Sequence, residues 1–390
     1  RAVARHPGYT PALLALAKFL QFVRHDATAA DRVFSRALAS APRHVPLLLT
    51  HGEFLETRDD LAMAAASYQR AVELDPSNPA AIGAHARMLY IQLGQPDLAD
   101  EYFRHAIKID INNTDNKLEY AKFLEDTGRS LRKAEHYYLM AIKTEPSGET
   151  YWAYARFLRR TKKDHNAAHQ HYTKAIEASA GAVDPDLHKD FGTFLEADVH
   201  EYDKAEEQLV LAARRAPDDV RHLTTLANFL VDVRRRPKDA ERVFQQALAK
   251  DPNNGEALTF YAFFLEEHSK DLDGAEALHL RAIAADPEDA GRLRNFAFFL
   301  EDARKDLGRA DDYYERAVAV DPNDPELNYR YGKFLDLKLK NPKRAQDFYE
   351  KGQDYVTKKN KKRAKKMLRQ RALERELGEA GKQKGKCCVS

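Results

Sequence analysis

The 390 residues carry 63 Lys or Arg against 61 Asp or Glu, a formal net charge of +2, with 43% hydrophobic and 32% charged residues. That balance predicts a soluble helical protein with a large exposed surface. No run approaches the roughly 18 apolar residues of a membrane span, and two cysteines in the whole chain exclude an internal disulfide framework and suit a reducing compartment.

The charge is unevenly spread. Residues 356–386 hold 13 Lys or Arg against 3 Glu, a charge of +10, which leaves 2 − 10 = −8 for residues 1–355. The chain does not begin with Met, and Arg1-Ala2-Val3-Ala4-Arg5-His6-Pro7 aligns with Arg316-Ala317-Val318-Ala319-Val320-Asp321-Pro322. Residues 1–10 therefore read as the remnant of a preceding repeat, and the sequence as a fragment whose upstream part is missing.

From there one unit recurs. Phe-Leu stands at Phe19, Phe54, Phe123, Phe157, Phe194, Phe229, Phe264, Phe299 and Phe334, with Met88-Leu89 in the one gap, at a period of about 35 residues. Two places before each pair lies a small residue such as Ala17, Gly52 or Ala86. Further Ala residues follow 12 or 13 and then 7 positions later, with a large side chain midway (Phe34, Tyr68, Phe103, Tyr138, Tyr172, Phe244, Tyr314). Spacings of three, four and seven place these on one helical face. Most second helices stop at a proline, as at Asp75-Pro76, Asp251-Pro252 and Asp321-Pro322, because proline lacks the donor and disfavours helix before it. Asn78-Pro79 and Asp324-Pro325 read as a cap followed by a first-turn proline. Each unit is helix, turn, helix, turn, and neighbouring units must complete each other's core. The spacing slips once, where Ala178 to Pro185 lengthen a connection. An extended loop with its packing intact is the preferred reading there, and flexing between the first and last five repeats the alternative.

Paired helices, small residues at the contacts, an aromatic on the second helix and a closing proline resemble the tetratricopeptide repeat family over residues 11–355. The resemblance implies an all-α solenoid, a right-handed superhelix of about ten helix-turn-helix repeats that binds a protein or peptide in its concave groove. Two features depart from the family: an extra residue in most turns between paired helices, and Phe-Leu, often with Glu after it, closing the first helix. Tyr151-Trp152-Ala153-Tyr154 also resembles the half-repeats of RNA-processing scaffolds.

The resemblance further implies that the residue after the small position of each first helix faces the groove. Lys18, Arg87, Lys122, Arg156, Asn228, Phe263, Phe298 and Lys333 are thus the candidate partner contacts, with Phe263 and Phe298 as a joint apolar anchor. The Lys/Asn clamp by which some family members hold chaperone termini is absent, since the pairs four apart here are Leu14 with Lys18, Leu118 with Lys122, Trp152 with Arg156 and Thr224 with Asn228. The ladder Tyr120, Tyr154, Phe191, Tyr261, Phe296 and Tyr331 is expected to pack between helices.

At the end, Cys387-Cys388-Val389-Ser390 resembles a prenylation box with Cys387 as the modified thiol. A single lipid gives only marginal anchoring, and the basic segment of residues 356–386, helical or disordered, supplies a second signal through Lys358, Lys359, Lys361, Lys362, Arg363, Lys365 and Lys366. The same lysines suit a nuclear address or nucleic acid, which is the alternative. No phosphate loop or zinc-protease motif occurs, and His165, His169 and His171 read as exposed helix surface, so neither catalysis, a cofactor nor a metal is expected. The sequence reading is a non-enzymatic scaffold, cytoplasmic and held at an anionic membrane surface. Its alternatives are a nuclear RNA-processing scaffold and the interaction region of a larger enzyme.

Overall fold

The computed structural model describes residues 9–22, 24, 26–179, 181–353, 355 and 357. The expectations for the opening remnant before Tyr9, for the basic patch from Lys358 to Lys366 and for Cys387 lie outside the described residues. Among the described residues all regular structure is helical, with no strand, and no helix is long and apolar enough to cross a membrane.

The chain divides into two compact units, Arg1–Glu201 and Tyr202–Ser390. The first contains α1 (Thr10–Phe22), α2 (Ala27–Ser40), α3 (Val45–Glu56), α4 (Leu61–Leu74), α5 (Pro79–Ile91), α6 (Pro96–Ile109), α7 (Thr114–Asp126), α8 (Leu131–Thr144), α9 (Gly148–Phe157), α10 (His165–Ala178) and α11 (Pro185–Phe194). The second contains α12 (Tyr202–Arg215), α13 (Val220–Asp232), α14 (Pro237–Lys250), α15 (Gly255–Phe264), α16 (Leu272–Ala285), α17 (Ala290–Phe299), α18 (Leu307–Val320), α19 (Pro325–Leu337) and α20 (Pro342–Lys351). The division falls between α11 and α12, inside the sixth repeat, and not in the lengthened connection. In that connection Val183 is buried and the Ala182 N–H donates to the Ser179 carbonyl at 2.9 Å, so its apolar member is packed.

Local rules place the helix ends. After the second helices an Asp preceding the proline folds back on the chain: Asp75 accepts from the Ser77 N–H at 3.2 Å, Asp251 from Asn253 at 3.1 Å and Asp321 from Asn323 at 3.2 Å. The next polar residue caps the following helix, as Asn78 does for the Ala81 N–H at 3.1 Å and Asn254 for Ala257 at 3.1 Å, each satisfying a donor the helix leaves free.

The extra residue in the turns between paired helices has a physical account. In most repeats the carbonyl of the Leu in the Phe-Leu pair accepts the N–H of the residue six positions on, just before the second helix. Examples are Leu158 from Asp164 at 3.1 Å, Leu230 from Arg236 at 2.9 Å, Leu265 from Asp271 at 3.1 Å and Leu300 from Asp306 at 2.9 Å. Closing that wider ring turns Leu158–Lys162, Leu195–Val199, Leu265–Ser269 and Leu300–Arg304 into π-helical segments. In the turns of the second to tenth repeats one residue lies in the left-handed region: Gly94 and Gly128, but also Asp59, Lys163, His200, Arg235, Lys270, Lys305 and Lys340. A side chain there costs about 1 kcal/mol or more, so the hydrogen bond and the burial of the Phe-Leu pair hold the turn closed.

The core lies between paired helices. Ala17, Ala86, Ala121, Ala262 and Ala297 are fully buried, and Phe54, Phe123, Phe157, Phe194 and Phe299 nearly so, each ring contributing about 1.5–3 kcal/mol on burial. At Gly52 an added Cβ would meet the Tyr68 ring at 2.5 Å, which is why the smallest residue stands there. The expected ladder is buried at Tyr120, Tyr154, Phe191, Phe296 and Tyr331, while Tyr261 is half-buried. The Glu that follows Phe-Leu accepts the phenol of the second helix: Tyr138 donates to Glu125 at 2.9 Å, Tyr314 to Glu301 at 3.0 Å, and Tyr68 to Glu56.

Candidate partner-binding site

Because the small position of every first helix points into the core, the next residue emerges along the edge where successive first helices meet. Clefts open there among the described residues, and three of them each join a candidate residue to its counterpart one repeat on. In the first unit Lys122 of α7 and Arg156 of α9 line a cleft of about 290 Å³ with Leu118, Trp152 and Arg160. In the second unit Asn228 of α13 and Phe263 of α15 share a cleft of about 330 Å³, and Phe298 of α17 and Lys333 of α19 share one of about 400 Å³. Phe263 is half-buried, with its edge on His279 at 5.6 Å, whereas Phe298 is 42% exposed. The expected joint anchor therefore separates: Phe263 pairs with the repeat before it and Phe298 with the repeat after it, so they line different clefts.

The candidate cations differ in availability. Arg87 is already engaged. Its Nη1 and Nη2 meet the two Glu56 carboxylate oxygens at 2.5 and 2.7 Å, and its Nε lies 3.6 Å from Glu119, joining repeats two, three and four. Burial opposes that charge, but Glu119 and Glu56 outweigh it and hold the guanidinium above its ordinary pKa. Lys18, Lys122 and Lys333 are exposed and have no carboxylate within 4 Å among the described residues. Arg156 stands 5.7 Å above the Trp152 ring and 3.8 Å from Asp190, a partly held cation.

At the first cleft sequence reasoning named Trp152 but neither the contact that fixes it nor Glu149 and Lys117 nearby. The Trp152 indole N–H donates to Asp190 at 2.7 Å, and Tyr172 donates to the same carboxylate at 2.9 Å, so the tryptophan is locked with one edge facing the cleft. Glu149 opposes the cations. Burial raises its pKa, and Asp115, Glu145, Glu119 and Asp184 add to the rise. Lys117, one residue before the cleft-lining Leu118, is 1% exposed and donates to Thr144; burial lowers its pKa against the opposing pull of Asp110. A lysine on a solvent-facing pattern carries no signal for this, because its position follows from the stacking of the next helix.

The three clustered histidines turn to separate partners. His165 stacks on Phe194, His169 meets Phe191 edge-on at 5.5 Å, and His171 meets Tyr154 edge-on at 4.8 Å. They pack against rings instead of lying free on the surface, and burial lowers the pKa of His171. Among the described residues no three His, Cys, Asp or Glu side chains converge on a metal-sized point.

Models of the tetratricopeptide repeat match residues 20–79, 87–113 and 234–296. The chain carries tetratricopeptide repeats. Among solved structures the fold is similar to yeast Tom70, at 16% identity and a TM-score of 0.52, covering 89% of this chain and 92% of that one. It is also similar to the human IFIT1 dimer with PPP-AAAA, at 18% identity and a TM-score of 0.50, covering 87% and 81%. At such identities the likeness is one of tetratricopeptide fold alone. A segment of 59 residues is 42% identical to protein adenylyltransferase Fic of Drosophila yakuba, which is 15% of this chain and 12% of that protein. The left-handed turn residue recurs between the paired helices of the second to tenth repeats, and the Tyr–Glu pair in the second, fourth and ninth.

Proposed function

We propose that the protein is a non-enzymatic interaction scaffold that holds a protein or peptide segment along the inner edge of its first helices. The observation that carries this reading is the recurrence of clefts at one register, each offering aromatic surface beside polar groups that the fold has not used. Apolar anchors ringed by polar groups are the usual source of affinity in such sites. Tetratricopeptide repeats support the general role of protein binding. The particular residues, Lys122, Arg156, Asn228, Phe263, Phe298 and Lys333, are our assignment.

Site-specific photo-cross-linking tests it. A benzophenone amino acid at Lys122 or Phe298 of the full chain is expected to capture a discrete partner band in cells, and the same group at Arg242, on the exposed face of α14, is not. Equal capture from all three positions would show that the inner edge is not the binding surface.

Attachment to a membrane is a separate proposal supported by sequence only. The basic run Lys358, Lys359, Lys361, Lys362, Arg363, Lys365 and Lys366 is attracted to anionic lipid by about 1 kcal/mol per cation, and lipid on Cys387 would supply the second signal. Replacing Cys387 with Ser is expected to move the protein from the membrane to the soluble fraction. No shift, or an unmodified Cys387 by mass spectrometry, counts against the proposal.

A further inference from the structure

The cleft between α17 and α19 has an unusual charge balance once its internal pairs are removed. Glu301 accepts the Tyr314 phenol at 3.0 Å and lies 3.8 Å from Lys338. Asp302 pairs with Lys305 at 3.5 Å, and Arg330 with Glu326 at 2.9 Å. Lys333 alone among the lining charges has no partner among the described residues. Beside it Phe298 and Leu337 are 42% and 50% exposed. The floor is closed by Tyr329 and by Tyr355, whose rings meet at 5.7 Å.

We propose that this cleft takes an acidic partner segment: a bulky apolar side chain seated on Phe298 and Leu337, with a carboxylate beside it meeting Lys333. The proposal rests on the scaffold reading and names the ligand chemistry of one of its clefts. Two exposed apolar residues next to one uncommitted cation ask for both features in a single ligand, since burying the rings without pairing Lys333 would desolvate its charge for nothing. The chain's own continuation is the other candidate occupant, and charge excludes it. Residues 356–386 carry 13 Lys or Arg against 3 Glu, so they would bring like charge to Lys333. The same cations would raise the encounter rate of an acidic segment.

The test uses the full chain and a fluorescein-labelled peptide with one Phe between two runs of three Glu. Saturable binding is expected by anisotropy. Lys333→Glu and Phe298→Ala are each expected to weaken it about tenfold or more, which corresponds to about 1.4 kcal/mol, while Arg242→Glu leaves it unchanged. Circular dichroism of each variant guards against unfolding, and Leu337→Ser supplies an independent change in the same cleft. The proposal is overturned if the peptide does not bind, if the cleft variants bind as tightly as the parent, or if an all-Glu peptide binds equally well. It is overturned equally if an oligouridylate binds more tightly with the same dependence on Lys333, or if the variants instead dissolve a dimer seen by light scattering. Groove cross-linking that persists when the peptide fails would remove this inference and leave the scaffold reading standing.

Discussion

Replacing Phe299 with Ala is expected to lower the stability of the second unit by about 3–5 kcal/mol, whereas replacing its neighbour Phe298 is expected to change it by no more than about 0.5 kcal/mol. The two residues are adjacent, share a side-chain type and differ only in the face they occupy. Phe299 is fully buried, stacked on Phe296 at 6.0 Å and packed on His279 at 5.2 Å, with Arg304 lying 5.9 Å over its ring. Truncating it removes the transfer energy of the ring and leaves a cavity that stacked helices cannot collapse into. Because stability in a repeat array is a sum over units and their interfaces, the loss should be concentrated around α16, α17 and α18. Urea unfolding combined with amide hydrogen exchange checks both parts. Equal destabilisation by the two substitutions would contradict the assignment of Phe298 to the cleft and Phe299 to the core.

Replacing His279 with Phe is expected to remove a dependence of stability on pH amounting to about 3 kcal/mol between pH 6.5 and 4. His279 occupies the register of Phe244 and Tyr314, midway along a second helix, with a 1% exposed side chain facing the rings of Phe263, Phe296 and Phe299. Burial lowers its pKa to about 4, against the opposing influence of the Glu276 carboxylate. Since the folded value lies below the unfolded value of 6.5, the unfolded chain takes the proton first. Stability is therefore complete above pH 6.5 and lost progressively as the pH falls toward 4, below which the difference is constant. His51, His85 and His171 are shifted in the same direction by burial, but they remain in the variant and cancel in the comparison. Urea midpoints of parent and variant measured from pH 7.5 to 4.5 should diverge as the pH drops. Parallel curves would mean that His279 is solvated.

What the amino-acid order determines here is everything that depends on neighbours within a few residues or on strict periodicity. The Phe-Leu spacing, the Asp-Pro stops and the Asn or Asp caps place nearly every helix, because capping and proline act over about one turn. The small residues mark the close contacts because a helix face repeats with its own period. The tertiary structure alone decides which polar groups remain free. Arg87 and Lys122 occupy the same register, yet Arg87 is bound by Glu56 and Glu119 from the repeats on either side and Lys122 is not. Phe263 and Phe298 likewise share a register and line different clefts, and the Trp152 indole is fixed by Asp190, 38 positions away. The division between Glu201 and Tyr202 also lies where no break in the 35-residue rhythm marks it. Periodicity assigns a side chain to a face; the partners it meets there come from another repeat, and only stacking brings their charges within the few ångströms over which they pair.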